Sequence, residues 1–176
     1  MQLHDAIEML AGGGFDTGPT VWADLGCGAG TFTVALASLL TPGSTIHAID
    51  RDGAALRQVP AGHEGVTIAT RVADITVPPA GLTRLDGVLM ANSLHYVREQ
   101  AAFVQSWSTR LSPAGRFLII EYDTDAVNRW VPFPISRRRL PTIFGGRRIQ
   151  DLGRRPSLYR RAALYAAVLE SGSPAD

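Results

Sequence analysis

Apolar residues in the first two thirds of the chain cluster into short segments separated by glycine, proline and charged residues. Five of these segments predict strands, at Val21–Leu25, Thr45–Ile49, Val66–Val72, Asp86–Met90 and Arg116–Tyr122, and the third of them alternates between apolar and polar residues. Four segments with apolar residues at helical spacing predict helices, at Leu3–Leu10, Thr31–Leu40, Asp52–Val59 and Arg98–Leu111. Strands that alternate with helices in this way predict an α/β fold, in which helices cover both faces of a mostly parallel sheet.

Two of the connections between these elements are also predicted by their turn-forming residues. Residues 75–85 include Pro78, Pro79 and Gly81 and show no helical spacing, which predicts a short or irregular crossover before the fourth strand. The turn-forming residues of Ser112–Gly115 predict a tight turn before the fifth strand.

Beyond the fifth strand the pattern becomes less regular. Trp130–Pro134 predicts a stiff extended loop, and Ser136–Phe144 predicts a short helix whose length a proline limits. Residues 147–152 and 158–169 predict the last two strands, paired as an antiparallel hairpin across a turn at Gly153–Pro156. Helical spacing also fits the second of these segments, so a helix there remains an alternative.

The composition is that of a folded domain and excludes several chemistries. Hydrophobic residues make up 45% and charged residues 19% of the 176 residues, enough to bury a substantial core in a single domain. The chain contains no lysine, and all 17 basic residues are arginine. This excludes a lysine Schiff base to a pyridoxal cofactor and a phosphate-binding loop that ends in lysine.

Cysteine and histidine are too few or too scattered to predict a metal centre. Cys27 is the only cysteine, which excludes an intrachain disulfide and a cysteine-rich zinc site. His4, His47 and His63 lack the spacing of metal ligands. We therefore expect no bound metal.

The sequence contains no evident targeting or membrane segment. Asp5 and Glu8 interrupt the first apolar segment, which argues against a signal peptide. The longest apolar stretch, Val34–Leu40, is far too short to cross a bilayer. These features predict a cytoplasmic protein without a membrane span.

Charge is distributed unevenly along the chain. Residues 1–128 carry seven arginines against thirteen acidic residues, whereas residues 129–176 carry ten arginines against three. Three interpretations of the basic part remain open: a solvated face that offsets the acidic part, a site for an anionic small molecule, and a nucleic-acid surface. No aromatic stacking motif interleaves with the arginines, which disfavours nucleic acid as a partner.

A glycine-rich segment after the first strand carries the clearest chemical signal. Asp24–Thr31 reads D-L-G-C-G-A-G-T, between a predicted strand and a predicted helix. Glycine lets the backbone turn tightly and approach a ligand, and a helix N-terminus directs unpaired N–H groups toward it. Asp50 ends the next strand, where a carboxylate can accept both hydroxyls of a ribose. Thr31 stands where a dinucleotide fingerprint needs glycine, which disfavours a nicotinamide or flavin cofactor.

Residues 21–35, V-W-A-D-L-G-C-G-A-G-T-F-T-V-A, resemble the first motif of the class I S-adenosylmethionine-dependent methyltransferases. Further matches to that family's motifs follow in the same order, at Ile49-Asp50, Arg71–Ile75, Leu85–Val97 and Leu111–Leu118. In the last of these, Ala114 replaces the family's commoner glycine. The resemblance covers residues 20–122 and extends more loosely to the end of the chain.

The resemblance implies a seven-stranded, doubly wound, mostly parallel sheet with a C-terminal antiparallel hairpin, as one domain over residues 1–176. Residues 20–122 would bind the cofactor, and residues 123–170 would form the last strands and the substrate side. The implied cofactor is S-adenosyl-L-methionine, with S-adenosyl-L-homocysteine as product. The residues expected to bind it are Asp24, Gly26, Cys27, Gly28, Gly30, Asp50, Arg51, Asp74, Ile75, Ala91 and Asn92.

Three of these residues have distinct expected roles. The resemblance implies that Asp24 approaches the methionine amino group, that Asp50 holds the ribose and that Asp74 meets the adenine amino group. The backbone of Cys27, rather than its thiol, is expected to line the turn.

For the reaction, the resemblance implies transfer of the sulfonium methyl to a nucleophilic O, N, S or C atom, and the stiff apolar residues after the fifth strand predict a small-molecule acceptor. The loop Asp123–Ile135, with Trp130 and Phe133, and the N-terminal helix are expected to enclose a small, partly apolar acceptor. His95 and Glu121 are the candidate bases, although His95 also fits a structural role.

Other functions remain open at this level. The same fold serves other chemistry on this cofactor, and it occurs in catalytically silent cofactor-binding or regulatory proteins. A nucleic-acid methyltransferase would use the arginine-rich C-terminal part. The resemblance leaves the acceptor, the methylated atom and the oligomeric state open.

Overall fold

A computed structural model describes residues 1–157 and 162–170, and its centre is one eight-stranded sheet. In chain order the strands are β1 (Val21–Leu25), β2 (Thr45–Asp50), β3 (Gly62–His63), β4 (Val66–Val72), β5 (Leu85–Ala91), β6 (Leu111–Tyr122), β7 (Ile149–Pro156) and β8 (Ala163–Glu170). The helices are α1 (Leu3–Leu10), α2 (Thr31–Ala37), α3 (Gly53–Leu56), α4 (Gln100–Ser108) and α5 (Leu140–Ile143). Short 3₁₀ turns occur at Leu94–Tyr96 and Arg137–Arg139.

The strands follow the order β3-β4-β2-β1-β5-β6-β8-β7 across the sheet. Strands β4, β2, β1, β5 and β6 are parallel neighbours, whereas β8 runs antiparallel between β6 and β7. This confirms the predicted α/β fold, with its mostly parallel sheet and C-terminal antiparallel hairpin. Each predicted strand has a counterpart, and the eighth strand is β3, a two-residue pairing at the edge that the sequence pattern did not indicate.

This topology brings the carboxyl ends of the five parallel strands to one edge of the sheet, which is where open α/β sheets bind ligands. The chain segments that follow β1, β2, β4, β5 and β6 therefore meet there. Every residue that the sequence predicts for the site lies in one of these segments or in the last two residues of the strand before it.

The sheet separates two apolar cores. On one face, α1 and α2 contribute Leu10 and Leu36, and on the other face α4 contributes Trp107. Successive residues of β6, such as Phe117 and Leu118, enter opposite cores, as expected for a strand that is covered on both faces. This double burial explains why the middle of β6 is a continuous apolar segment, whereas β4, next to the edge of the sheet, alternates and is mostly exposed.

The connection from β4 to β5, residues 73–84, contains no helix, in agreement with the prolines and glycine in it. Leu82 is buried, and the indole N–H of Trp107 donates a 2.9 Å hydrogen bond to the backbone carbonyl of Ile75. Helix α4 therefore anchors a segment that has no regular structure of its own.

The last hairpin turn does not lie where the sequence predicted it. Residues 153–156 continue β7, so the predicted turn there is wrong and the connection to β8 lies beyond Pro156. Gly153 has a φ of +114° and follows a shift in the pairing with β8, which is the geometry of a bulge. Arg155 pairs with Asp5 on α1, which favours the extended course of the strand.

The segment after that connection is a strand, and the alternative of a helix there is wrong for the described residues. Ala166 and Ala167 enter opposite cores, as the alternation of a strand requires. Residues 158–161 of the predicted strand lie outside the described residues.

The helices are short. Helix α2 ends at Ala37 and α3 at Leu56, each before its predicted end, and α4 is confined to Gln100–Ser108. Ser112–Gly115, predicted as a turn, lies inside the bounds of β6, where the pairing with β5 shifts register. Among the described residues, no helix has the length and apolar character needed to cross a membrane.

Candidate functional site

The turn between β1 and α2 depends on its glycines. Gly26, Gly28 and Gly30 all have positive φ, at +74°, +54° and +84°. A Cβ on Gly26 would lie 2.6 Å from the Cβ of Ser93, and one on Gly30 would lie 2.9 Å from the side chain of Val59. A Cβ on Gly28 would meet no described atom within 4 Å. The turn is therefore packed on two sides and open at Gly28, where a ligand can approach the backbone.

The end of β2 holds this turn in place. The backbone N–H of Gly28 donates to Oδ2 of Asp50 at 2.8 Å, and the N–H of Asp52 donates to Oδ1 at 2.8 Å. The N–H groups of Gly26 and Cys27 both donate to the carbonyl of Ile49. Each carboxylate oxygen of half-buried Asp50 retains acceptor capacity beyond its one bond, which suits a ribose diol.

Two buried acceptor atoms near the turn have no donor. Asp24 is 1% exposed; its Oδ2 accepts a 2.6 Å hydrogen bond from the hydroxyl of Thr33, whereas its Oδ1 has no partner among the described residues. Oδ1 of Asn92, just beyond β5, is also buried without a partner. Burial raises the pKa of Asp24 to about 7, the Thr33 hydrogen bond opposes this rise, and the charge of Asp50 adds to it. Unpaired buried acceptors are costly, so each of these oxygens suits a donor that a ligand supplies.

The segment after β4 forms the far side of the site. Oδ1 of exposed Asp74 accepts hydrogen bonds of 2.8 Å from both the backbone N–H and the hydroxyl of Thr76. These bonds lower the pKa of Asp74, and the charge of Arg51 acts in the same direction, so the carboxylate is ionised. The Cδ1 of Ile75 lies 3.9 Å from the position that a Cβ on Gly26 would occupy. The segment thus reaches from Asp74 to the glycine turn.

The remaining predicted site residues contribute no charged group. Ala91 is the half-buried last residue of β5. Burial raises the pKa of the Cys27 thiol, and the carboxylates of Asp24 and Asp50 raise it further, so the thiol stays protonated. Within the described part of the chain, no group of three His, Cys, Asp or Glu side chains forms a possible metal site.

His95 and Glu121 form a buried pair beside this site. Their exposed fractions are 2% and 0%, and Nδ1 of His95 lies 2.6 Å from Oε2 of Glu121. The backbone N–H of His95 donates to Oε1 of the same carboxylate at 3.2 Å. The imidazole ring packs against Tyr96, with ring centroids 4.3 Å apart. The structure thus brings together two residues that the sequence predicted as separate candidate bases.

The loop after β6 packs against this pair. The N–H of Phe133 donates to the carbonyl of His95 at 3.0 Å, and the side-chain amide of Gln100 donates to the carbonyl of Phe133 at 2.8 Å. The hydroxyl of Tyr165 donates to the carbonyl of Ile135 at 3.0 Å, and burial raises its pKa, so it stays protonated. Three hydrogen bonds therefore hold the end of this loop at the ends of β5 and β6.

Exposed apolar side chains collect at the same edge. Seven large apolar side chains are exposed among the described residues, and five of them end or follow parallel strands: Val72, Val77, Tyr96, Val127 and Trp130. Helix α1, also predicted to cover the acceptor, packs on α2 through the apolar core and pairs its acidic residues with Arg155 of β7. It lies beside the β7–β8 side of the sheet.

Sequence reasoning missed four residues that shape the site. They are Thr33, Ser93, Trp107 and Tyr165. A buried hydroxyl in the mostly apolar α2 is the signal for Thr33. Ser93 lies within the fourth-strand motif, and its hydroxyl donates to the carbonyl of Leu25 at 2.6 Å. Trp107 and Tyr165 carry no sequence signal beyond burial, because their partners are distant in the chain.

Comparison with known proteins identifies a family for this geometry. A family model described as a methyltransferase domain matches residues 23–117, more than half of the chain. No curated protein gives a significant match.

Solved structures share the fold at low sequence identity. An arsenic(III) S-adenosylmethionine methyltransferase from Chlamydomonas reinhardtii is 14% identical, with a TM-score of 0.65 over 86% of this chain, which spans 62% of that protein. The N-terminal domain of EvdMO1, with S-adenosylhomocysteine bound, is 21% identical, with a TM-score of 0.67 over 97% of this chain and 81% of that one. A third structure is the 1,6-didemethyltoxoflavin-N1-methyltransferase of Burkholderia thailandensis, with 1,6-didemethyltoxoflavin and S-adenosylhomocysteine bound. It is 19% identical, and the match has a TM-score of 0.68 and covers 96% of this chain and 77% of that one.

The site fits the cofactor of the matched family. The turn is open at Gly28, and the unpaired buried oxygens of Asp24 and Asn92 suit the ammonium of a methionine moiety. The family match spans the glycine turn, Asp50 and Asp74. The chain therefore belongs to the class I S-adenosylmethionine-dependent methyltransferases, and S-adenosylmethionine is its cofactor.

Proposed function

We propose that this methyltransferase methylates a nucleophilic O, N or S atom of a small molecule, with His95 as the general base and Glu121 as its partner. The observation that carries the proposal is the buried His95–Glu121 pair at the ends of β5 and β6, against the Phe133 end of the loop that follows β6. A carboxylate that accepts from Nδ1 leaves Nε2 as the basic nitrogen and stabilises the imidazolium that forms on protonation.

We assign the cofactor contacts to the residues whose geometry suits each group. Asp50 accepts the ribose hydroxyls, Asp74 accepts from the adenine amino group, and Asp24 and Asn92 receive the ammonium. S-adenosylmethionine supplies an electrophilic methyl group on sulfonium and leaves as a neutral thioether. The open side of Gly28 gives the backbone close access to the ligand.

The chemistry required of the protein is then limited. Nε2 of His95 takes the proton of the acceptor O–H, N–H or S–H group, and the acceptor atom forms the new bond to the methyl group. The carboxylate of Glu121 engages Nδ1, so we assign this proton transfer to the other ring nitrogen. The loop end at Phe133–Ile135 excludes water and aligns the acceptor, which is the larger part of the catalytic effect for a reaction that develops little charge.

The surface around the pair supports a small, partly apolar acceptor. Tyr96 and Trp130 are 53% and 70% exposed, and the guanidinium of Arg129 lies 5.4 Å from the centroid of a Trp130 ring. An aromatic surface with a nearby cation suits a planar or partly apolar molecule.

Ion pairs within the fold account for much of the arginine-rich segment. Five of the eight arginines in residues 129–157 pair with carboxylates, as Arg137–Asp151, Arg138–Asp125, Arg148–Glu170, Arg154–Asp123 and Arg155–Asp5. Because their charge is offset locally, these arginines support a solvated face rather than a nucleic-acid surface.

We therefore expect only weak binding of nucleic acid. Fluorescence anisotropy with a random-sequence RNA and with duplex DNA should show binding that disappears at about 150 mM salt, as for non-specific charge contacts. A sub-micromolar Kd with a steep salt dependence would contradict the proposal and assign the acceptor to nucleic acid.

The affinity for S-adenosylhomocysteine should depend on pH through Asp24. Its pKa of about 7 in the free protein means that the carboxyl is protonated below neutrality, whereas the ligand ammonium favours the carboxylate. Binding must then release a proton, so Kd should rise up to about tenfold for each pH unit below 7 and level off above about pH 8. Isothermal titration calorimetry between about pH 5.5 and 8.5 measures this dependence.

Two variants separate Asp24 from other titrating groups. Asp24→Asn should bind weakly with a flat pH profile. Thr33→Val removes the hydroxyl that opposes the rise in the pKa of Asp24, so the midpoint should move to higher pH. A wild-type pH profile in Asp24→Asn would show that another group controls the affinity.

A further inference from the structure

The segment assigned to adenine, residues 73–76, has few anchors of its own. The N–H of Ala73 donates to the carbonyl of Asp50 at 3.0 Å, and Thr76 folds back onto Asp74. No helix follows this segment before β5. Ala73 and Ile75 pack against the second core, so a hydrogen bond at Ile75 would add to this packing in fixing the segment against the glycine turn.

A hydrogen bond to this segment comes from the C-terminal end of α4, the helix that follows β5. Trp107 lies near the C-terminus of α4, is 0% exposed, and donates its indole N–H to the carbonyl of Ile75 at 2.9 Å. The ring packs with Phe103 in the second core, at a centroid distance of 6.4 Å, so its orientation is fixed by packing. The side chain of Ile75 in turn approaches Gly26.

We infer that Trp107 is a positioning residue of the cofactor site, whose indole N–H holds residues 73–76 where Asp74 meets the adenine ring. The inference deepens the proposed function and rests on its assignment of Asp74 to the adenine amino group. Without the N–H, the segment keeps its Asp74–Thr76 bonds and the packing of Ala73 and Ile75, but it loses its hydrogen bond to the core. Both the affinity for the cofactor and its selectivity for adenine should then fall.

The test compares two tryptophans with matched environments. Trp22 is 2% exposed and donates its indole N–H to the hydroxyl of Thr20 at 3.2 Å, in the opposite core. Trp107→Phe and Trp22→Phe each remove one buried aromatic N–H and a similar volume. Calorimetry should measure Kd for S-adenosylhomocysteine and for its inosine analogue, in which a carbonyl oxygen replaces the adenine amino group.

Trp107→Phe should raise the Kd for S-adenosylhomocysteine by about fivefold, which is the equivalent of losing one neutral hydrogen bond. In the same variant, the ratio of the Kd for the inosine analogue to the Kd for S-adenosylhomocysteine should fall. Trp22→Phe should keep this ratio and the Kd for S-adenosylhomocysteine within about twofold of the wild type. Equal effects of the two substitutions, or an unchanged preference in Trp107→Phe, would overturn the inference. Asp74→Ala tests the underlying assignment separately, since unchanged binding there would remove that assignment itself.

A measurement on the wild-type protein tests the inference without relying on whether the variants fold. The three tryptophan indole N–H groups can be followed by ¹⁵N-resolved NMR. Saturation with S-adenosylhomocysteine should slow hydrogen exchange of the Trp107 indole relative to that of Trp22, because the ligand orders the carbonyl that accepts its hydrogen bond. An unchanged ratio of the two rates would contradict the inference.

Discussion

Replacing Glu121 by glutamine is expected to lower kcat of methyl transfer by about 10²- to 10⁴-fold, the usual contribution of a positioned base. The carboxylate accepts from both the ring and the backbone of His95, and an amide cannot accept from both groups and also stabilise an imidazolium. Release of S-adenosylhomocysteine, measured with a panel of phenols, thiols and heteroaromatic N–H compounds, provides the assay. The Kd for S-adenosylhomocysteine should stay within about twofold.

The same loss is expected for His95→Gln, and the chain supplies a matched control. His63 is a partly buried histidine on the short strand β3, where Nε2 lies 2.9 Å from the hydroxyl of Ser38. His63→Gln should therefore retain wild-type kcat. Wild-type turnover by both Glu121→Gln and His95→Gln would make the pair structural and leave alignment as the mechanism.

The assay also separates catalysis from cofactor binding alone. A wild-type protein that binds S-adenosylhomocysteine but releases none from S-adenosylmethionine with any compound of the panel would favour a catalytically silent binding protein. Turnover with at least one compound would support the proposed function and would identify the class of acceptor atom.

Local sequence signals were sufficient for most of the fold. The central parallel strands are buried on both faces, so their middles are apolar, as in residues 88–90 of β5, and the glycines at positive φ mark the turn after β1. The prolines of residues 73–84 correctly predicted a connection without a helix. The last hairpin turn was misplaced because Gly153 and Pro156 are turn signals, whereas in the structure Gly153 lies at a bulge and Arg155 pairs with α1.

The parts of the site that the sequence did not predict depend on contacts between distant residues. Trp107 and Ile75 are 32 positions apart, and His95 and Glu121 are 26 apart. The sequence predicted both His95 and Glu121 but as alternatives, because only the neighbouring positions of β5 and β6 bring them into contact. Spacing along one chain carries no information on such pairs unless the order of strands is known.

Replacing Asp50 by alanine is expected to weaken binding of S-adenosylhomocysteine by about 10- to 150-fold, which corresponds to roughly 1.5–3 kcal/mol. The substitution removes the proposed charged acceptor of the ribose hydroxyls. It also removes the 2.8 Å bonds from the N–H groups of Gly28 and Asp52, so the glycine turn loses its tie to β2. Isothermal titration calorimetry at about pH 8, above the pKa of Asp24, measures the effect without interference from that group.

A neighbouring aspartate provides the control for this substitution. Asp52 caps α3, where its Oδ1 accepts from the N–H groups of Ala54 and Ala55 at 2.8 and 3.1 Å. Asp52→Ala should lower the free energy of unfolding by about 1 kcal/mol, as the loss of a helix cap does, and leave the Kd within about twofold. If Asp50→Ala bound as tightly as the wild type, the ribose would have to lie elsewhere, because a buried diol that lost its charged acceptor would lose affinity.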